Sequence, residues 1–375
     1  MEFSLNEETV ILRDSARRFL KERCPISTVR EVLSGDAGYS SQAWRDMADL
    51  GWLGLIHDEA YGGFGGSFFD LFVLFKETGR VVLPSPFFSV VLCGLILGEA
   101  AGPDQKAAWL PPLIEGREIW TAGLLDERGG YDFEAPSLVA SPAGDGGYVL
   151  NGTRLMVPYA HAADRIVVCA HVRDPASGGP TLFRADRSLE GLSLEPLDTL
   201  SLEKTWAVHF DQVRLSSESV IGGVGRGAEA LAGVWPRATV LKCAQMLGGM
   251  ERVVEMTVTH VKERRQFGRP LGALQAVQHL CADMATCLET SKLISQQAAW
   301  MISEGRPAIM EAAMAKAWCN EAGGKCAAIG HQLQGGIAFT EEHDMHFYSK
   351  QARAAELTWG ASWLHRRAVA RGMGI

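Results

Sequence analysis

Glu263-Arg264-Arg265-Gln266-Phe267-Gly268, answered far downstream by Gln332-Leu333-Gln334-Gly335-Gly336, is the pair of segments on which the reading of this chain turns. Arg264 offers a planar fork of donors that matches a phosphate, Phe267 offers an apolar surface, and Gly268 ends a helix without a side chain in the way. Gly335-Gly336 lets backbone come close to an anion. Taken alone, the first segment reads as a helix C-terminus whose positive charges complement the helix dipole. The second, alone, marks only a turn.

Outward from these segments the pattern is helical. Residues 238–265, 274–305 and 308–323 have the length, spacing and Ala/Leu content of bundle helices. The first third repeats the helical period at 7–22, 41–53, 69–79 and 105–114. Between them the period changes: 147–152 and 154–157 read as short strands joined by an Asn151-Gly152 turn, followed by extended segments at 165–171, 181–183, 192–194 and 207–213. The expected fold is α+β and multidomain, with a helical N-domain over 1–120, a central β-barrel-like domain over 121–222 and a C-terminal four-helix bundle over 223–375. Glycines 222, 223, 225 and 227 lack the spacing and the strand–helix context of a dinucleotide fold and read as a domain junction.

Composition narrows the function classes. The 375 residues carry a net charge of -8, which argues against a broad nucleic-acid surface. The most apolar stretch, 81–97, is interrupted by Pro84, Pro86 and Ser89, so no membrane span is expected. The acidic N-terminus lacks the pattern of a secretory signal, and cytoplasmic residence is the expectation. Eight scattered cysteines read as buried thiols of a reducing compartment. No metal site is expected, and His343 and His346 beside Asp344 read as helix-start residues.

These local sequences resemble the acyl-CoA dehydrogenase family over essentially the whole chain. Gly51-Trp52-Leu53-Gly54-Leu55, the run from Glu59 to Gly65 and Glu77-Thr78-Gly79-Arg80 are similar to its N-domain, and Gly147 to Arg154 to its β region, with Arg154 at a position usually Lys. The resemblance implies FAD, with Arg264, Phe267, Gln275, Gln332, Gly335 and Gly336 reaching the dinucleotide of a flavin bound chiefly by a neighbouring subunit. On residue type alone, Gln275 reads as a capping or surface amide. The run from Gly335 to Asp344 and His346-Phe347-Tyr348 is similar to bacterial relatives acting on bulky acyl-CoAs, with Gln334 for the common His and Ala338 for the common Gly.

The same resemblance exposes a gap. The family reaction takes a proton from the acyl α-carbon and passes hydride from the β-carbon to flavin, and so needs a carboxylate in a partly dry pocket. Its two usual places hold Gly360, in Thr358-Trp359-Gly360-Ala361-Ser362, and Pro236, in Trp235-Pro236-Arg237. Pro236 reads as a helix start, and Arg237 stands where a relative would help form the acyl-CoA pocket. Leu125 to Asp132 replaces the family's Thr-Glu-Pro and Gly-Ser-Asp segments, and Met156-Val157-Pro158 replaces the residues that touch the flavin ring.

Three readings follow, and catalytic residues stay unassigned. In the first, the chain is one half of a heteromeric α2β2 dehydrogenase whose partner supplies the carboxylate. In the second, a homomer uses a displaced base among Asp126, Glu127, Glu341 and Glu342. In the third, it is a structural or acyl-CoA-binding subunit without turnover. The resemblance implies a bulky or branched acyl-CoA, such as one with a steroid side chain, and an electron-transfer flavoprotein as acceptor.

Overall fold

The computed structural model describes residues 5–174 and 178–375. Six helices come first: α1 (Glu7–Arg23), α2 (Ile26–Ser34), α3 (Ser41–Asp49), α4 (Phe68–Arg80), α5 (Phe87–Ala100) and α6 (Pro103–Ile114). Local chemistry sets their ends. Asn6 accepts from Thr9 N at 2.7 Å to start α1, and Ser67 and Asp70 form a reciprocal capping box on α4. The most apolar stretch becomes α5, buried on all sides from Phe87 to Leu97. At 14 residues it is about 21 Å long, short of a bilayer core of about 30 Å. Among the described residues no helix is long and apolar enough to cross a membrane.

Nine strands follow: β1 (Trp120–Gly123), β2 (Leu125–Asp126), β3 (Val139–Pro142), β4 (Tyr148–Pro158), β5 (Arg165–Val172), β6 (Gly179–Asp186), β7 (Leu192–Leu197), β8 (Thr205–Leu215) and β9 (Val220–Ile221). They form one mixed sheet in the order β7-β8-β4-β3-β5-β6-β9, with β1 parallel to β5 and β2 antiparallel to β4. The expected barrel does not form, because the path ends at β7 on one side and β9 on the other. β7 has no buried residue and β9 is two residues long, so both suit an open edge.

The expected Asn151-Gly152 hairpin is also absent. β4 runs straight through it, and its pairing with β8 shifts register between Leu150 and Gly152. The extra residue lies on β8, where Asp211 and Gln212 stand opposite the single Asn151, with Gln212 at φ 52°, and Asn151 Oδ1 accepts from Gln212 N at 2.9 Å across the strands. An Asn-Gly pair facing a bulge in the next strand looks, in sequence, like a turn.

The remainder is α7 (Gly227–Glu263), a small ribbon of β10 (Arg265–Gln266) and β11 (Arg269–Pro270), then α8 (Gln275–Ser303), α9 (Ile309–Gln334), α10 (Met345–Leu357) and α11 (Ser362–Gly372). Helices α7, α8 and α10 pack on α9, as does α11, and α4 and α5 pack on α7. One hydrophobic core therefore runs from the first helices into the last, and a second lies within the sheet. Pro236 does not start α7 as expected but sits buried inside it. The N–H it lacks would have met the carbonyl of Ala232, which is exposed and can turn to water.

Candidate functional site

Two regions of the last helices carry the residues singled out above. At the first, α7 ends at Glu263 with Arg264 as its cap, and the chain reverses at once through β10 and β11. Phe267 and Gly268 form the two-residue turn, at φ 54° and 73°, the twin positive values of a type I′ hairpin. Gly268 is thus a hairpin residue, not the helix stop expected from sequence. The turn holds Phe267 in solvent, 84% exposed, in a conformation costly for a bulky L-residue. Arg264, Arg265 and Arg269 are exposed and have no ion-pair partner among the described residues. Gln275 is the exposed first residue of α8.

Nearby, α9 continues past its expected end to Gln334, and Gly335 breaks it at φ 72°. Gln332, Gly335 and Gly336 come together with Ala328, His331 and Phe339 around an open concavity of about 440 Å³. A Cβ built on either glycine would have nothing within 4 Å, so the backbone there is bare to an incoming group. Gln334 points inward instead and donates to Thr257 Oγ1 at 3.0 Å, bracing α9 against α7. His343 Nδ1 accepts from Met345 N at 3.1 Å, the helix-start role expected of it. Burial lowers the pKa of His260 and His331, and neighbouring charges add to this: Arg264 and His343 at His260, and His343 and His346 at His331. The fixed positive charge of this face is therefore carried by arginine.

The second region is the turn between α10 and α11. Trp359 and Gly360 both have positive φ, 61° and 98°. Lys316, fully buried on α9, donates from Nζ to Asn320 Oδ1 (2.6 Å), Ala355 O (2.8 Å) and Gly360 O (3.1 Å). His365 Nε2 donates to Trp359 O at 2.7 Å, and Trp359 N donates to the Tyr131 hydroxyl at 3.2 Å. Burial pushes Lys316 down to about 8 and His365 down to about 4. A Cβ at Gly360 would lie 2.7 Å from His365 Nε2 and 2.8 Å from Leu364 Cδ2. The turn is tied by these bonds, and a side chain at Gly360 would require His365 and Leu364 to move.

Around it stand aromatic rings that the sequence reading did not single out as a group. Trp359 lies against Tyr131 (5.6 Å between centroids, 18° between planes), Trp235 (5.0 Å) and Phe88 (6.2 Å). Phe133 lies 5.6 Å from Trp235. Arg237, expected beside the acyl-CoA pocket, pairs with Glu99 of α5 at 3.0 Å.

Among the described residues, none of the acidic candidates bonds to this turn. Asp126 is buried opposite Arg154 on the neighbouring strand and accepts from Arg154 Nη1 (3.0 Å), Arg128 Nε (2.9 Å), Arg128 N (3.1 Å) and Ser137 N (2.7 Å). Burial opposes its ionisation, but the bonds from Arg128 and Ser137 prevail and hold its carboxyl well below the usual carboxylate range. That is the reverse of what a general base requires. Glu127 is exposed. Glu341 and Glu342 are exposed ahead of α10 and Gly360 follows it, with 13 helical residues, about 20 Å, between them.

Comparison with known proteins agrees with this architecture. The acyl-CoA dehydrogenase N-terminal domain model matches residues 6–117, and the C-terminal domain model matches residues 225–374. Acyl-CoA dehydrogenase IpdE2 of Mycobacterium tuberculosis is 31% identical over 353 residues, 93% of this chain and 92% of its own. Among solved structures, the ChsE4-ChsE5 complex from Mycobacterium tuberculosis superposes with a TM-score of 0.91 at 25% identity, covering 100% of this chain and 99% of that one. A variant of the Tcur3481-Tcur3483 steroid ACAD gives 0.88 at 29% identity, covering 99% and 100%. FAD is the cofactor that these likenesses indicate. With both terminal domain models matched and a relative alike over nearly its full length, the chain belongs to the acyl-CoA dehydrogenase family.

Proposed function

We propose that this chain is the non-catalytic half of a heteromeric acyl-CoA dehydrogenase. It completes an FAD held chiefly by a partner chain and leaves proton abstraction to that partner's carboxylate. The observation that carries the proposal is the turn at Gly360, where even a Cβ meets His365 at 2.7 Å. A carboxylate there would have to displace the His365 ring that bonds the turn at Trp359 O.

The residues fit half of the cofactor. Arg264 suits the pyrophosphate, Phe267 the adenosine end, Gln275 and Gln332 offer amides, and Gly335 and Gly336 bare backbone, all on an exposed face open to a second subunit. FAD supplies the hydride acceptor when bound. This chain's own ring side does not fit. Pro158 has no N–H to donate and its carbonyl already accepts from Thr121 Oγ1 at 2.6 Å, while Met156 is held at φ 53° beside a register break.

The likeness to the ChsE4-ChsE5 complex and to the Tcur3481-Tcur3483 steroid ACAD favours a heteromeric assembly and a bulky acyl-CoA such as a steroid thioester; an α2β2 arrangement and an electron-transfer flavoprotein as electron acceptor complete the proposal. Eight free cysteines go with a cytoplasmic setting. A homomer with a displaced base is disfavoured by the ion pairing of Asp126 and by the distance of Glu341 and Glu342 from Gly360. Arg264→Ala in the natively purified assembly tests the shared cofactor. Losing a charge-assisted bond of about 1.5–3 kcal/mol lowers FAD affinity about 10- to 150-fold. Unchanged flavin occupancy, with the partner folded, would remove Arg264 from the site.

A further inference from the structure

We propose that the segment from Asp126 to Ser137 is a built-in occupant of this chain's own acyl site, with Tyr131 and Phe133 filling the space beside Gly360 so that this half-site takes no acyl-CoA. The inference deepens the half-site reading and rests on it for where an acyl chain would lie. Gly360 and Ala361 remove side-chain volume at that place, which alone is compatible with a pocket enlarged for bulk. The aromatic rings decide otherwise.

The segment is built as a rigid loop. Its two ends are clasped by one carboxylate, since Asp126 accepts from Arg128 near the start and from Ser137 N at the finish. Arg128 Nη2 crosses the loop to Ala135 O at 2.7 Å. Asp132 Oδ1 accepts from Glu134 N (3.2 Å) and Ala135 N (3.0 Å), reversing the chain around Phe133. Arg154, itself buried, holds the clasp to β4.

From this loop Tyr131 stacks on Trp359 and stands edge-on to Trp235 at 5.1 Å, while Phe133 covers Trp235 from another side. Phe88 of α5 and His365 of α11 complete the cluster, 6.2 Å from Trp359 and 6.2 Å from Trp235. Trp359 is 4% exposed, Tyr131 and Phe133 are half-buried, and burial raises the Tyr131 hydroxyl pKa. The Trp359 N–H donating to Tyr131 fixes the loop to the turn that carries Gly360. An acyl chain occupying the space these rings fill would displace them from Trp235 and Trp359.

Photolabelling of the natively purified assembly tests this, using a bulky acyl-CoA that carries a diazirine on its acyl chain, followed by peptide mapping. The expected result is no label on the peptides holding Tyr131, Trp235 or Trp359. The Tyr131→Ala/Phe133→Ala double variant, checked for fold by near-ultraviolet circular dichroism, then gains label at Trp235 or Trp359. Label on those peptides in the unmodified chain overturns the inference, as does a folded double variant that stays unlabelled. If the double variant does not fold, the unmodified chain alone decides. An assembly of one chain type would end the heteromeric reading while leaving this labelling result to be judged separately.

Discussion

Placing a carboxylate at Gly360 should destabilise this protein without giving the chain turnover of its own. Gly360 sits at φ 98°, where an L-residue is strained by about 1–2 kcal/mol. An added Cβ lies 2.7 Å from His365 Nε2 and 2.8 Å from Leu364 Cδ2. Ordinary carbon contacts lie at about 3.5–4.0 Å, so both neighbours must move, and forced overpacking of this kind costs about 1–3 kcal/mol. Moving His365 also strains its bond to Trp359 O. The sum for Gly360→Glu is about 2–5 kcal/mol. Because the clash begins at Cβ, Gly360→Ala should show most of the same loss. Urea midpoints followed by circular dichroism measure both variants, and turnover with acyl-CoA and an artificial electron acceptor is measured alongside. A Gly360→Glu protein of undiminished stability that gains dehydrogenation from this chain would refute the reasoning about the turn.

Asp126→Asn separates a structural carboxylate from a base. Leaving Arg154 buried and unpaired costs about 3–5 kcal/mol in stability, whereas hydride transfer per folded, flavin-bound assembly is unchanged; a selective loss of transfer would make Asp126 catalytic. Phe267→Asn relieves about 1 kcal/mol of left-handed backbone strain, so the thermal midpoint holds or rises while FAD retention falls, and retention equal to the parent's would remove Phe267 from the cofactor face. Acid sensitivity follows from His57 and His365, whose pKa values burial pushes down to about 4 from 6.5. Between those values the unfolded chain binds protons that the folded one refuses, so stability falls as pH drops from 6.5 to about 4. Each histidine contributes about 3 kcal/mol to that loss. His57→Gln should flatten the slope of urea midpoint against pH over this window, and an unchanged slope would contradict it.

What could be read in advance was set by short-range chemistry. The helix period around Val10, Leu12, Ala16 and Leu20 places α1 because its signal lies within the helix itself. That a helix ends at Arg264 was legible for the same reason, although the hairpin that follows was not. An Arg-Arg-Gln-Phe-Gly run carries no pattern that separates a helix stop from a two-residue turn. Sheet closure is decided by which strands become edges, and the fate of Asn151-Gly152 by a bulge on a partner strand about sixty residues on. The aromatic cluster joins Phe88, Tyr131, Trp235 and Trp359 from four distant parts of the chain, and no spacing rule connects them. Lys316 had a weak local signal: a lone cation among Ala312, Ala313, Ala315 and Ala317 on a helix with little room for one. Its partners, the Ala355 and Gly360 carbonyls, lie on another element.

The central claim is that this chain completes a flavin site and supplies no base. The mass and FAD content of the natively purified assembly, from native mass spectrometry with an absorbance spectrum, test it most directly. The account predicts two unlike chains with fewer flavins than subunits. A single chain type carrying one FAD per subunit would contradict it and would require a catalytic base within this sequence.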